Sequence, residues 1–144
     1  MAPSYVGPIA ELVPHRPPML LIDRLLDDGP EHVRVEAVVK PDELFITPDG
    51  LPAWVGLELM AQTVASFAGL RARERNEPVK LGFLLGTRRY ECSRPFFPVG
   101  AKLEIEAATT LQTLLVACRA RGVSLERIVT DLYARHVAEK LTKK

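Results

Sequence analysis

The chain has 144 residues, a formal net charge of +1, 47% hydrophobic residues and 26% charged ones. That is the balance of one soluble globular domain. It excludes a global attraction to nucleic acid or an anionic membrane, and no apolar run reaches the roughly 18 to 20 residues of a membrane span. The opening MAPSYVGPIAELV has no basic n-region, long apolar core or small-residue cleavage site, so a cytoplasmic protein is expected. Cys92 and Cys118 form no CxxC pair, so neither a metal site nor a redox motif is expected.

In chain order, residues 1–18 are loop-rich, with prolines at 3, 8, 14, 17 and 18 and room for a short helix around Ile9 to Val13. Met19 to Leu26 is apolar around Asp23 and Arg24, and ends at the turn residues Asp27, Asp28, Gly29 and Pro30. His32 to Lys40 alternates. Val33, Val35, Ala37 and Val39 face one way, and His32, Arg34 and Glu36 the other, which predicts a half-buried strand. Residues 41–52 read as loop, with Pro52 suited to a first helical turn. A long helix follows, Leu51 to Arg71 and on to about Arg73. Strands are predicted at Lys80 to Glu91, Ala101 to Ala108, Leu111 to Arg119 and Leu125 to Ala134. Turns fall at Arg94-Pro95, at residues 98–100 and at Gly122, and residues 135–144 form a charged tail. One long helix among many strands predicts a single α+β domain, core residues 10–134, with an antiparallel sheet wrapped around the helix.

Apolar residues point in nearly every direction along this helix, which predicts that it is buried. Glu58, Gln62 and Ser66, spaced i, i+4, i+8, form a narrow polar stripe. A carboxylate in such a helix must find a partner, face a wet cleft or take up a proton. Groups so placed concentrate at functional sites. The helix N-terminus favours the Glu58 anion. The bland alternative is a structural carboxylate bonded to a neighbouring loop or arginine. Gln62 is expected mainly as hydrogen-bonding glue within the core.

Three segments together resemble the 3-hydroxyacyl-acyl carrier protein dehydratases of fatty acid synthesis. VPHRPPMLLIDRLLD resembles their opening Leu-Pro-His-Arg and Leu-Val-Asp-Arg segments. LPAWVGLELMAQ resembles their central helix, approximately Phe-Pro-Gly-Val-Leu-Ile-Leu-Glu-Ala-Met-Ala-Gln, and keeps Pro52, Glu58, Ala61 and Gln62 in step. RRYECSRPFFPVGAKLEIEA resembles their strand and Arg-Pro turn. With GFLLGTRRYE added, the pattern looks most like the dehydratase-like proteins of bacterial aryl-polyene clusters. The resemblance covers about residues 10–134. It implies a hotdog fold, a dimer or higher oligomer and an acyl thioester substrate on acyl carrier protein or coenzyme A. No cofactor is implied.

The resemblance also implies chemistry. Family members remove water from a 3-hydroxyacyl thioester with a histidine and a helix carboxylate of the neighbouring subunit. A backbone N–H at the helix start polarises the thioester carbonyl. Glu58 matches the carboxylate. Ala53 stands where the family has the N–H-donating glycine, and Ala53 and Gln62 are the expected substrate-side residues. The family's histidine lies in a Gly-His-Phe-Pro-Gly loop before the helix. The matching residues 45–50 here, Phe-Ile-Thr-Pro-Asp-Gly, contain none.

Of the three histidines, His32 on a strand face and His136 in the tail are expected to be solvated. His15, framed by Pro14, Pro17 and Pro18, is the candidate to complete the pair, because an imidazole exchanges protons near neutral pH. Asp49 is a weaker candidate, with helix capping as its alternative role. Seven basic residues against three acidic ones between Arg71 and Arg94 suggest a basic rim for an acidic carrier, with Arg88, Arg89 and Arg94 as its candidates. Three readings follow. The first is a dehydratase using Glu58 and His15. The second is a non-catalytic hotdog subunit that pairs with an active second dehydratase. The third is a thioesterase, since fold does not fix function.

Overall fold

The computed structural model describes residues 2–79, 87–92, 94–110, 113–120 and 127–132. In 87–91 and beyond 108 the description is of the backbone. A 3₁₀ turn at Ile9–Glu11 precedes β1 (Arg24–Asp28), β2 (His32–Val38) and the two-residue β3 (Leu51–Pro52). A second 3₁₀ turn, Ala53–Val55, leads into α1 (Gly56–Glu74). Then come β4 (Thr87–Glu91), β5 (Phe96–Phe97), β6 (Lys102–Thr110), β7 (Thr113–Ala120) and β8 (Arg127–Leu132). Six strands form one antiparallel sheet in the order β1-β2-β6-β7-β8-β4, and β3 pairs with β5 apart from it.

The sheet packs on α1 through β2, β6 and β7. The predicted alternation of β2 explains why. Val33, Val35 and Ala37 are opposite Ala107, Ile105 and Leu103 in register, and all six are buried. Each such side chain removed from water stabilises by about 1.5–3 kcal/mol for the larger ones. The strand boundaries differ from expectation at β1. Asp27 and Asp28 extend the strand rather than turn it, across an irregularity between Leu25 and Asp27. The β3–β5 pair and its place beneath the helix start were not expected, because two-residue strands carry no periodic signal. The start of the Lys80 strand, the Gly122 turn and the tail lie outside the described residues.

The helix forms because Leu, Met, Ala, Glu, Gln and Arg dominate it and no proline interrupts it. Pro52 sits just ahead of its 3₁₀ lead-in rather than inside it. The end is set by Asn76, which takes φ 55°. The Asn76 N–H then reaches the Arg73 carbonyl at 3.1 Å and the Glu77 N–H the Ala72 carbonyl at 2.8 Å. This is a Schellman closure with asparagine in the left-handed position.

Burial of the helix is not complete, contrary to the all-round apolar pattern. Trp54 is 59% exposed. Leu57, Glu58, Ala61 and Ala65 are half-buried, and Ala68 is exposed. These positions recur at helical spacing and leave one open stripe on the chain. The far end is closed differently. Gly69 lies so near the Leu12 carbonyl that a methyl group there would overlap its oxygen. Arg73 sits 4.6 Å from the Tyr5 ring centre and 3.7 Å from Glu11. Arg71 donates to the Pro30 carbonyl and to Glu74. These contacts strap residues 5–12 across the end of the helix.

Candidate functional site

The site is built where the loop after the first 3₁₀ turn meets the first half of α1. Asp23 fixes the exit of that loop. Its N–H donates to the Glu36 carbonyl at 2.8 Å, and its carboxylate accepts the Val38 N–H and the Lys40 ammonium, both at 2.6 Å. Arg24 Nε donates to Glu36 Oε1 at 3.0 Å. The Asp-Arg pair thus pins the chain to β2 and sets the position of everything ahead of it.

Gln62 joins loop to helix. Its side chain is fully buried. The amide Nε2 donates to the Met19 carbonyl at 2.7 Å and to Glu58 Oε1 at 3.0 Å. Its Oε1 accepts the Leu21 N–H at 2.8 Å. Both amide hydrogens are committed, so Gln62 has no donor left for a substrate. It bridges the loop to Glu58.

Glu58 lies in the first turn of α1. Oε1 is 3.8 Å from His15 Nε2, with the two side chains 34% and 25% exposed. That distance is an ion-pair approach and longer than a hydrogen bond. Catalytic pairs are often this loose before substrate arrives. The other ring nitrogen, Nδ1, is buried without a hydrogen-bond partner among the described residues. Nε2 is the nitrogen that faces the carboxylate. The two residues chosen from the sequence, 43 positions apart, meet within one chain.

Other candidates fare differently. The Ala53 N–H donates to the Pro95 carbonyl at 2.8 Å as β3 pairs with β5. That N–H, expected to face a substrate carbonyl, is bonded within the chain. Asp49 is exposed in the tight turn closed between Thr47 and Gly50. It caps nothing, since Pro52 and Val55 precede the two helical segments without side-chain caps. His32 is not simply solvated. Its Nε2 lies 3.2 Å from Asp27 Oδ2, and that hydrogen bond holds the Asp27 carboxyl below its ordinary range. In the loop before the helix, burial raises the Glu43 carboxyl above its ordinary value of 4.5. Arg94 is half-buried. Arg88 and Arg89 lie on β4 at the sheet edge; their side chains, with His136, fall outside the description. Sequence reasoning missed Phe45, whose ring meets Trp54 edge-on at 5.4 Å beside the open stripe.

No helix among the described residues is long and apolar enough to cross a membrane. No cluster of three or more metal-binding side chains occurs among them.

A sheet packed on one helix is the hotdog architecture, and here a helix carboxylate faces a histidine. The chain belongs to the ApeP-like family, whose model, described as ApeP dehydratase, matches residues 7–121. It is 32% identical over 110 residues to the 3-hydroxyacyl-acyl-carrier-protein dehydratase FabZ of Anaeromyxobacter sp. strain K, covering 72% of this chain and 70% of the relative. It is also 32% identical over 127 residues to that of Cronobacter sakazakii, covering 84% and 82%. Among solved structures it resembles the dehydratase heterocomplex ApeI:P from Xenorhabdus doucetiae. That match has a TM-score of 0.77 and 28% identity over 97% of this chain and 100% of the other.

Proposed function

We propose that this protein dehydrates a 3-hydroxyacyl thioester, with Glu58 and His15 of one chain as the acid–base pair. The 3.8 Å approach of His15 Nε2 to Glu58 Oε1 carries the reading. In the forward step His15 Nε2 takes the proton from C2 of the acyl group. The C2–H electron pair forms the C2–C3 double bond, the C3–O bond breaks, and protonated Glu58 delivers its proton to the departing hydroxyl. Water and a 2,3-enoyl thioester leave. Return of the proton from His15 to Glu58 resets the pair. The Trp54 amide belongs to the first helical turn, whose N–H groups have no intrahelical acceptor. The Trp54 amide is the proposed carbonyl-polarising donor beside Ala53, whose own N–H is bonded to Pro95.

Acyl carrier protein is the proposed bearer of the substrate, as the FabZ relatives are named for it, and Arg88, Arg89 and Arg94 are its proposed contacts. Coenzyme A is the alternative bearer. The exposed free thiol of Cys92 suits a reducing, cytoplasmic setting. The test is turnover of a 3-hydroxyacyl thioester by Glu58→Gln and His15→Asn. Loss in both supports the pair, and unchanged turnover in either overturns it.

A second reading is favoured by the ApeI:P heterocomplex. Glu58 lies on the open stripe, within reach of whatever covers it, so a second dehydratase subunit could supply the base there. In that case the isolated chain is inert, assembly restores turnover, and His15→Asn leaves the assembled activity intact while Glu58→Gln does not.

A further inference from the structure

The pair depends on where His15 stands, and His15 stands in a loop with no strand or helix to hold it. Such a segment loses conformational freedom only where specific bonds fix it. Its neighbour supplies them. The two hydrogens of Arg16 Nη1 are shared among the carbonyls of Ala10 at 3.0 Å, Val13 at 3.0 Å and His15 at 2.6 Å. Two of these belong to the end of the 3₁₀ turn and the loop just after it, where carbonyls have no helical N–H to accept. The third is the carbonyl of His15 itself. A guanidinium suits this task because its hydrogens project in a rigid plane and its charge strengthens each bond.

The backbone of Arg16 holds the other side. Its carbonyl accepts the N–H of Met19 at 2.9 Å and of Leu20 at 3.2 Å. Met19 and Leu21 then bond Gln62, which bonds Glu58. Arg16 is thus tied upstream by its side chain and downstream by its backbone, with His15 in between. The path from Arg16 through Met19 and Gln62 ends on the carboxylate that His15 faces.

We infer that Arg16 is the positioning residue for His15, setting the ring against Glu58 without touching substrate. This rests on the His15–Glu58 reading. A shift of about 1 Å in a catalytic group costs up to about 100-fold in rate. Arg16→Ala in the full-length protein, in its native oligomer, is therefore expected to lower kcat on a 3-hydroxyacyl N-acetylcysteamine thioester by about 10- to 100-fold, with KM within about twofold. Arg16→Lys restores part of the loss, since an ammonium still donates to carbonyls. In a His15→Asn background Arg16→Ala costs nothing further, because residues acting through one another are not additive. An equal fold-loss in both backgrounds, or an unchanged kcat per folded molecule, overturns the inference. Full activity of His15→Asn alone overturns the acid–base reading instead, so the two failures are distinguishable. If His15→Asn has no measurable turnover, the titration of the His15 imidazole by NMR decides. A displaced titration in Arg16→Ala supports positioning, and a superimposable one refutes it. Arg16→Gln takes the place of the alanine variant if that variant does not fold.

Discussion

The two ends of α1 solve opposite problems. At the first end, Trp54, Leu57 and Glu58 remain open, and among the described residues the hydrogen bond to the carboxylate comes from buried Gln62. At the last end, Gly69 is covered by the Leu12 backbone, while Arg71 reaches the Pro30 carbonyl and the exposed Arg73 reaches Tyr5 and Glu11. One end stays accessible and holds one ionisable group in place. The other closes the fold. The same helix does both because glycine at position 69 lets a neighbouring backbone approach, while a side chain at position 58 reaches outward. Stability and chemistry should therefore respond to different substitutions.

The largest expected effect is at the open end. Glu58→Gln keeps the Gln62 bridge and the side-chain volume but removes the transferable proton. Turnover should fall about 100- to 10,000-fold with little change in the denaturation midpoint. A large loss of stability would mean that the two ends are not separable. Next is the closed end. Gly69→Ala forces the Leu12 segment away and should cost about 1–3 kcal/mol in chemical denaturation. Turnover per folded molecule should fall less than for Glu58→Gln, because the carboxylate is kept and only the Ala10 and Val13 anchors of Arg16 beside Leu12 are disturbed. A smaller effect is expected of Arg73→Ala. Loss of the Tyr5 contact and the exposed Glu11 pair should cost about 0.5–1 kcal/mol, reduced in high salt.

The smallest expected effect tests the loop before the helix. Burial raises the folded-state titration of Glu43, so the folded protein binds that proton more tightly than the unfolded chain does. Its contribution to stability is present below the unfolded value and is lost as pH rises through the folded one. Glu43→Gln should thus be more stable than the parent at pH 7, by a few degrees in Tm at most. The gap should close as pH falls below the ordinary value of 4.5. A gap that persists at low pH would assign the effect to packing.

Much of the architecture was legible because it is written in local periods. The alternation of Val33, Val35 and Ala37 and the length of the helix each follow from neighbouring residues alone. Glu58 stood out for the same reason, as a carboxylate among apolar neighbours. What stayed hidden depends on pairs distant in sequence. The β3–β5 pairing commits the Ala53 N–H to Pro95, and two residues in each strand are too few to show a pattern. Arg16 looked like any loop arginine, since carbonyl targets leave no trace in composition. The open stripe misled for another reason. An apolar face reads alike in sequence whether its own chain covers it or not.

Trp54 is the one tryptophan of the chain. It sits on the open stripe four residues before Glu58, with Phe45 at its edge. Any acyl chain or subunit that covers this face dehydrates a single known indole. The protein thus carries an intrinsic optical probe beside the Glu58–His15 pair. A blue shift of its emission would time the arrival of a ligand or partner without any label.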